Sequence, residues 1–284
     1  MQLPAPRSVI CHSLALLLVM ALTGGFLAPE ATAKQRNLVI FGDSVIADPP
    51  LGQYLARKVE QGSSEFIGGR FCPTSRSSFG VQAAAELGLE VADYSCAGAT
   101  ATGSRSIFGG QDFAVQVDRA LADATLNPAT DRVLITLGFN DTYNNLALPG
   151  PELRSRFVAV MVPQIERIRR AAPEARIQLI GYPTIADDEY VCLFNLGGSV
   201  RDRTYAPVIG QFEDLAQRMQ QDLAVATGVE FLDLKPSTAD NGMCAPDHLR
   251  GWAGLIDLNA SPYHLPYHLN ARGHEYVAEV VVES

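Results

Sequence analysis

The sequence predicts an α/β fold in which a parallel sheet is covered by helices on both faces. Short apolar runs alternate with longer amphipathic segments, and several of the short runs are apolar throughout. Strands of that kind are typical of parallel sheets, because helices bury both faces of such a sheet. After its N-terminal segment the chain contains no repeat, low-complexity run or linker. We therefore expect one domain over residues 34–284.

The apolar runs predict five strands, which are Asn37–Gly42, Val91–Ser95, Arg132–Gly138, Arg176–Gly181 and Val229–Leu232. The amphipathic segments predict helices that include Gly80–Leu87, Phe113–Ala124, Arg154–Ala172, Phe212–Ala226 and Asn270–Glu283. In an open parallel sheet, ligands bind beyond the carboxyl ends of the strands. The chemistry is therefore expected in the segments that follow strands, which are GDSV, SCAGAT, GFND and GYPT.

Residues 1–33 have the features of an export signal. Arg7 precedes the apolar run SLALLLVMALTGGFLA, and the ATA segment that ends at Ala33 supplies the small residues of a cleavage site. The run is short for a span of about 20 residues and is interrupted by two glycines, which favours a cleaved signal over a membrane anchor. We expect a secreted protein that begins at Lys34, with a retained anchor as the alternative.

Cysteine usage agrees with export. Four cysteines follow the signal, and they are Cys72, Cys96, Cys192 and Cys244. An even number in an oxidising compartment predicts two disulfides. A zinc site is not expected, because close C-x-x-C pairs are missing. The residues alone leave all three pairings open.

Three of the segments that follow strands contain residue types that ester hydrolysis requires. Ser44 follows the first strand, where a strand-to-helix turn would expose its hydroxyl as a nucleophile once a base removes the proton. Asn140 could donate its amide to the oxyanion of a tetrahedral intermediate, and Gly98 could offer a backbone N–H at close range. The structural alternatives are a helix cap for Ser44, an Asx turn for Asn140 and a turn glycine for Gly98.

A serine hydrolase also needs a general base, for which a histidine is the usual residue. Four histidines follow residue 33, and they are His248, His264, His268 and His274. His268 begins the segment HLNARGH just before the last predicted helix, where a loop residue can reach a pocket. His264 is its chief rival, and His274 is better placed for packing inside the helix.

Together, GDSV, Gly98 in CAGAT, GFND and HLNARGH resemble the four blocks of the SGNH, or GDSL-type, hydrolase family, in the family's order and spread over the whole domain. The chain is similar to secreted actinobacterial lipases and esterases of that family. The resemblance implies a flavodoxin-like three-layer α/β/α sandwich, with Ser44 as nucleophile and His268 as base. It also implies an oxyanion hole made by the Ser44 and Gly98 N–H groups and the Asn140 amide. Neither a metal nor an organic cofactor is required.

The same resemblance implies a disulfide pairing. The secreted subgroup has one disulfide after the first block and another late in the chain. We therefore expect the pairs Cys72–Cys96 and Cys192–Cys244.

One departure from the family pattern concerns the partner of the histidine. Family members often have an Asp three residues before the catalytic His, where this chain has Leu265. By analogy with members that use a backbone carbonyl, we expect the Leu265 carbonyl to accept from the His268 Nδ1–H. Asp247 and Asp257 are the alternative orienting groups.

The expected function is hydrolysis of small-molecule or lipid esters by a secreted serine esterase or lipase. The alternatives are an acyltransferase or carbohydrate deacetylase with the same Ser-His site, and a non-catalytic binding module. A net charge of -9 without any Lys/Arg cluster argues against nucleic acid or an anionic membrane surface as a partner. Transient contact with the surface of a lipid substrate is compatible with it. Acyl-chain preference and oligomeric state are left open.

Overall fold

A five-stranded parallel sheet forms the centre of the fold. The computed structural model describes residues 36–61, 72–103, 111–197, 200–260 and 265–284, which belong to one unit, Lys34–Ser284. Its strands are β1 (Asn37–Gly42), β2 (Glu90–Asp93), β3 (Thr130–Thr136), β4 (Arg176–Ile180), β5 (Tyr190–Val191), β6 (Phe194–Asn195), β7 (Thr204–Tyr205), β8 (Glu230–Leu232) and β9 (Ile256–Asp257). The central sheet has the order β2-β1-β3-β4-β8, and every neighbouring pair is parallel. Two small sheets pair β5 with β7 and β6 with β9.

Helices lie on both sides of this sheet. They are α1 (Ser44–Ala47), α2 (Leu51–Gln61), α3 (Phe79–Glu86), α4 (Phe113–Ala122), α5 (Phe139–Asn144), α6 (Gly150–Ala171), α7 (Pro207–Thr227) and α8 (Ala271–Glu283), with a 3-10 helix over Pro236–Thr238. α3 packs against α8, whereas α6 packs against α4 and α7. The predicted three-layer α/β/α sandwich is confirmed. Within the described ranges, no helix is long and apolar enough to cross a membrane.

The middle strands carry the core. Every residue of β1 is buried, and in β3 only Asp131 is partly exposed. A fully buried side chain such as Ile40 or Phe41 stabilises the fold by about 1.5–3 kcal/mol. β2 lies at an edge of the sheet, so its side chains are exposed or half-buried.

All five predicted strands are present, and their ends differ from the predicted ones by no more than two residues. The larger differences are the starts of α6 and α7, which lie four and five residues before the predicted starts. Both helices have proline in the first turn, at Pro151 and Pro207. Proline fits there because the first backbone N–H groups of a helix have no partner within the helix.

The predicted disulfides are confirmed. Cys72 pairs with Cys96 and Cys192 pairs with Cys244, with Cα–Cα distances of 5.1 and 5.0 Å. On the chain-entropy model they stabilise the fold by about 3.5 and 4 kcal/mol. Cys96 lies two residues before Gly98, and Cys192 lies two residues before β6, so each disulfide anchors a loop beyond the carboxyl ends of the strands.

Candidate active site

The order of the strands brings three predicted site residues together. Gly98 follows β2, Ser44 follows β1 and Asn140 follows β3, and these three strands are neighbours in the order β2-β1-β3. Because parallel strands end at the same edge of a sheet, the three segments meet above β1.

Ser44 is the first residue of α1 and follows a sharp turn at the end of β1. Gly42 has φ +143°, and a Cβ added there would lie 2.2 Å from the Thr136 carbonyl oxygen, so only glycine fits. Asp43 caps α1, since its Oδ1 accepts from the Val45 N–H at 2.9 Å. The turn leaves Ser44 half-buried, while Asp43 and Val45 on either side of it are buried.

Tyr182 connects the Ser44 turn to the start of α5. Its hydroxyl donates to Asp43 Oδ2 at 2.6 Å and accepts from the Phe139 N–H at 3.0 Å. Burial raises the pKa of Asp43 to about 7, and burial together with the Asp43 charge raises the pKa of Tyr182 well above its usual range. Tyr182 therefore stays protonated and can donate to the carboxyl group. Tyr182 comes from GYPT, the fourth of the segments that follow strands.

The Asn140 amide is fixed by two hydrogen bonds. Its Nδ2 donates to the Ala99 carbonyl at 2.8 Å, and its Oδ1 accepts from the Tyr143 hydroxyl. An amide nitrogen carries two hydrogens, so one remains for a ligand. In the part of the chain that the structure describes, the backbone N–H groups of Ser44 and Gly98 have no protein acceptor. Gly98 has φ +83°, a conformation that favours glycine.

A buried carboxyl group connects the Gly98 loop to α5. Asp141 accepts from the Ala101 N–H at 3.1 and 3.0 Å and from the Thr102 N–H and hydroxyl at 2.9 and 2.8 Å. Burial raises the pKa of Asp141 above its usual value. Because Asp141 is adjacent to Asn140, this contact sets the distance between the Gly98 loop and the amide. The pattern GFND marked Asn140 as a candidate but not this role of Asp141.

His268 is oriented by a backbone carbonyl, but the residue differs from the predicted one. Nδ1 lies 2.8 Å from the Pro266 carbonyl oxygen, whereas the prediction assigned this contact to Leu265. Tyr267 has φ +62°, and this turn brings the Pro266 carbonyl onto the ring two residues later. With Nδ1–H donating to the carbonyl, the lone pair that can accept a proton lies on Nε2 of the neutral ring.

Ser44, Gly98, Asn140 and His268 all line one cavity of about 880 Å³. Most of the other lining residues are aliphatic or aromatic, and they include Val45, Leu51, Leu146, Ile185, Val191, Leu193, Ile209, Phe212, Met243, Trp252, Leu255 and Tyr267. Cavities that are mostly apolar with a few convergent polar groups are typical of small-molecule sites.

The sequence model of the GDSL-like Lipase/Acylhydrolase family matches residues 40–276. The chain belongs to this family. The match runs from β1 into α8 and includes Ser44, Gly98, Asn140 and His268. As a GDSL-like acylhydrolase, the protein is an ester hydrolase.

Solved structures share the fold. The chain is 16% identical to phospholipase A1 from Streptomyces albidoflavus NA297, with a TM-score of 0.55 over 88% of this chain and 99% of that one. It is 21% identical to the extracellular lipase from Streptomyces rimosus, with a TM-score of 0.55 over 87% and 99%. It is 15% identical to Est24, a carbohydrate acetylesterase from Sinorhizobium meliloti, with a TM-score of 0.50 over 88% and 97%. At these identities the likeness shows the fold alone, and no curated protein matches the chain.

The two aspartates considered as substitutes for a triad Asp are bound elsewhere in this GDSL-like hydrolase. Both Asp257 carboxylate oxygens contact the buried Arg250 guanidinium. Asp247 accepts from Asn195 Nδ2 at 2.9 Å and from Asn259 Nδ2 at 2.7 Å, and it lies 3.4 Å from Arg250. Neither carboxylate therefore orients His268.

The other histidines are distributed as follows. His274 is buried in α8, where Nδ1 accepts from the Phe79 N–H at 3.2 Å and Nε2 lies 3.3 Å from Asp48 Oδ2. His248 is exposed. His264, the rival of His268, and the predicted signal over residues 1–33 lie outside the described residues.

Proposed function

We propose that this GDSL-like hydrolase cleaves carboxylic esters through a covalent acyl-enzyme on Ser44. The observation that carries the proposal is that Ser44, Gly98, Asn140 and His268 line the same cavity. They come from four separate parts of the chain, and each supplies a group that acyl transfer requires. The family supports ester hydrolysis, and the geometry supports these residues for it.

The mechanism has two half-reactions. His268 Nε2 removes the Ser44 hydroxyl proton as Oγ bonds to the ester carbonyl carbon. The carbonyl oxygen becomes an oxyanion that accepts from the Ser44 and Gly98 N–H groups and from Asn140 Nδ2. The bond to the alcohol oxygen then breaks, and His268 returns the proton to that oxygen. Water, deprotonated by His268, then attacks the acyl carbonyl carbon, the bond to Ser44 Oγ breaks, and His268 returns the proton to Oγ as the acid leaves.

A Ser-His dyad has a weaker base than a full triad. The Pro266 carbonyl holds the His268 ring in the productive tautomer, but a neutral oxygen stabilises the imidazolium less than a carboxylate does. The oxyanion donors therefore carry a large share of the rate acceleration, and one such donor is commonly worth about 3–4 kcal/mol.

The cavity favours esters with an apolar acyl group. Its aliphatic and aromatic lining gives few polar partners to the hydroxyl groups of a carbohydrate. For this reason we place a lipid or other lipophilic ester before an acetylated sugar as the substrate.

Export is part of the proposal. Two disulfides support an oxidising compartment, and the segment before Lys34 has the pattern of a cleaved signal. N-terminal sequencing of the protein from the medium of the producing cell should begin at Lys34. A chain retained in the cell with Met1 intact would contradict export.

Hydrolysis of p-nitrophenyl butyrate by Ser44→Ala tests the function. We expect a loss of at least about a thousandfold in kcat/KM, because the nucleophile is removed. The matched control is Ser155→Ala, since Ser155 is exposed on α6 and its hydroxyl donates to the Pro151 carbonyl of the same helix. Equal rates for parent and Ser44→Ala would refute the assignment.

A further inference from the structure

The small sheet formed by β6 and β9 buries its polar side chains and exposes its apolar ones. Asn195 and Asp257 are register partners, and their side chains are almost fully buried. Their neighbours Phe194 and Ile256, also register partners, are 40% and 49% exposed. Successive residues of a strand point to opposite faces. The polar side chains of this sheet therefore point into the protein and the apolar ones point to solvent.

The exposed side extends beyond the two strands. Leu196 and Leu258 continue the alternation and are 51% and 69% exposed. Val200, which is 61% exposed, joins them because its carbonyl accepts from the Leu196 N–H at 2.9 Å. We define the outer apolar face as five residues, which are Phe194, Leu196, Val200, Ile256 and Leu258.

The inner side of the same sheet is held by polar contacts. Asp257 contacts Arg250, and Asn195 donates to Asp247 at 2.9 Å. Arg201, the bridge partner of Asn195, donates to the Cys244 carbonyl at 2.9 Å. Turning the sheet over would leave these buried polar groups without partners. These polar contacts therefore fix the orientation of the sheet and keep the outer apolar face exposed.

This face adjoins two residues that line the active-site cavity. Leu193 and Leu255 immediately precede Phe194 and Ile256, and both line the cavity. Leu255 is also 43% exposed, so it belongs to the cavity wall and to the surface at once. Residues that line the cavity are therefore direct chain neighbours of the outer apolar face, and Leu255 adds exposed apolar surface between the two.

We propose that the outer apolar face docks onto the surface of an aggregated, uncharged or zwitterionic lipid and presents the cavity mouth to it. The proposal rests on the ester hydrolase function proposed above. Contiguous exposed apolar patches of a few hundred Å² on soluble proteins are often interaction sites. The five residues carry no charge, and the chain has a net charge of -9, which favours phosphatidylcholine over anionic lipid.

The size of the face argues against a second copy of the chain as its occupant. Its exposed apolar area is roughly 500 Å², given side-chain areas on the order of 150–250 Å². A standard interface buries about 800 Å² on each partner. A lipid surface needs no complementary partner face, and its acyl chains are the chemistry that the adjacent cavity accepts.

Binding to phosphatidylcholine vesicles tests the proposal in the Ser44→Ala background, where no lipid is consumed. We expect the double substitution Ile256→Ser with Leu258→Ser to lower the partition coefficient about tenfold or more, because each removes a large apolar side chain from the contact. The matched control is Val59→Ser with Val225→Ser, two valines that are 78% and 87% exposed outside the face. The control should bind within about twofold of its parent.

Two further measurements separate docking from catalysis and from folding. The active enzyme with the Ile256 and Leu258 substitutions should still hydrolyse soluble p-nitrophenyl butyrate. Loss of this activity would reveal a defect in folding or in the proposed catalytic function rather than in docking. In the Ser44→Ala background, Leu258→Trp places a tryptophan on the outer apolar face. Brominated phosphatidylcholine should quench the fluorescence of this variant more than that of its parent, whose Trp252 is buried.

Equal vesicle binding by the face variant and the control would overturn the proposal. So would light scattering that shows a parent dimer dissociated by the face substitutions, because the occupant would then be a second copy.

Discussion

Replacing Tyr182 with phenylalanine tests whether the Ser44 turn and the start of α5 are held together by one hydroxyl group. The substitution keeps the ring that lines the cavity and removes an acceptor for the Phe139 N–H and a donor to Asp43. A lost bond to a carboxyl group and a buried N–H without its partner each cost about 1–3 kcal/mol. We expect the free energy of unfolding to fall by about 3 kcal/mol.

The catalytic effect should fall mainly on kcat. Phe139 precedes Asn140, so a loosened Phe139 displaces the amide, and a displacement of about 1 Å can cost a hundredfold in rate. We expect kcat to drop by about 10- to 100-fold while KM changes by less than about threefold, since the apolar lining is kept. Urea unfolding and p-nitrophenyl butyrate kinetics measure the two effects.

Tyr276→Phe is the matched control, because its hydroxyl is exposed and donates to the Ser237 carbonyl at 3.4 Å. This variant should resemble the parent in stability and in kcat. If Tyr182→Phe also kept the parent's kcat and lost less than about 1 kcal/mol, the reasoning about Tyr182 would be refuted.

Three further predictions concern the donors and the acids. Asn140→Ala should lower kcat by about 10²- to 10³-fold with little change in KM, and an unchanged kcat would remove the amide from the oxyanion hole. The pKa of Asp43 is raised by burial to about 7, so its contribution to stability is fully present below about pH 4 and is lost as the pH rises through 7. Relative to Asp43→Asn, the parent's free energy of unfolding should therefore fall by about 4 kcal/mol between pH 4 and pH 8, and parallel pH profiles would contradict this. Asp257→Asn should destabilise the fold by about 3–5 kcal/mol and keep kcat within about threefold. Asp247→Asn should lose less stability and also keep kcat within about threefold. A large fall in kcat in either variant would identify that residue as a triad Asp.

The residues with local signals were predictable. Ser44, Gly98 and Asn140 each follow an apolar run, and parallel strands place their carboxyl ends at one edge of a sheet. The sequence did not reveal the strand order β2-β1-β3. The three residues meet because these three strands are neighbours in the sheet.

The contacts that join residues distant in the sequence were missed. Tyr182 meets Asp43 across 139 positions, and Asp141 meets Ala101 across 40, so no local pattern marks either pair. The wrong choice of Leu265 has a different cause. One residue with positive φ, Tyr267, decides which carbonyl faces His268, and nothing in the composition of the loop favours that conformation for a tyrosine.

The alternation in β6 and β9 was also missed. Period-2 patterns are normally interpreted with the apolar side inward. Here the contacts of Asp257 with Arg250 and of Asn195 with Asp247 hold the polar side inward, and the second contact joins residues 52 positions apart in the sequence.

The most direct test of the catalytic assignment is to locate the adduct of a fluorophosphonate probe by peptide mass spectrometry. One adduct per chain on Ser44 is expected, formed at least about a thousandfold more slowly in His268→Asn, because the base that removes the Ser44 proton is gone. An adduct on another serine, or labelling of Ser44 at the same rate without His268, would contradict the Ser44–His268 mechanism.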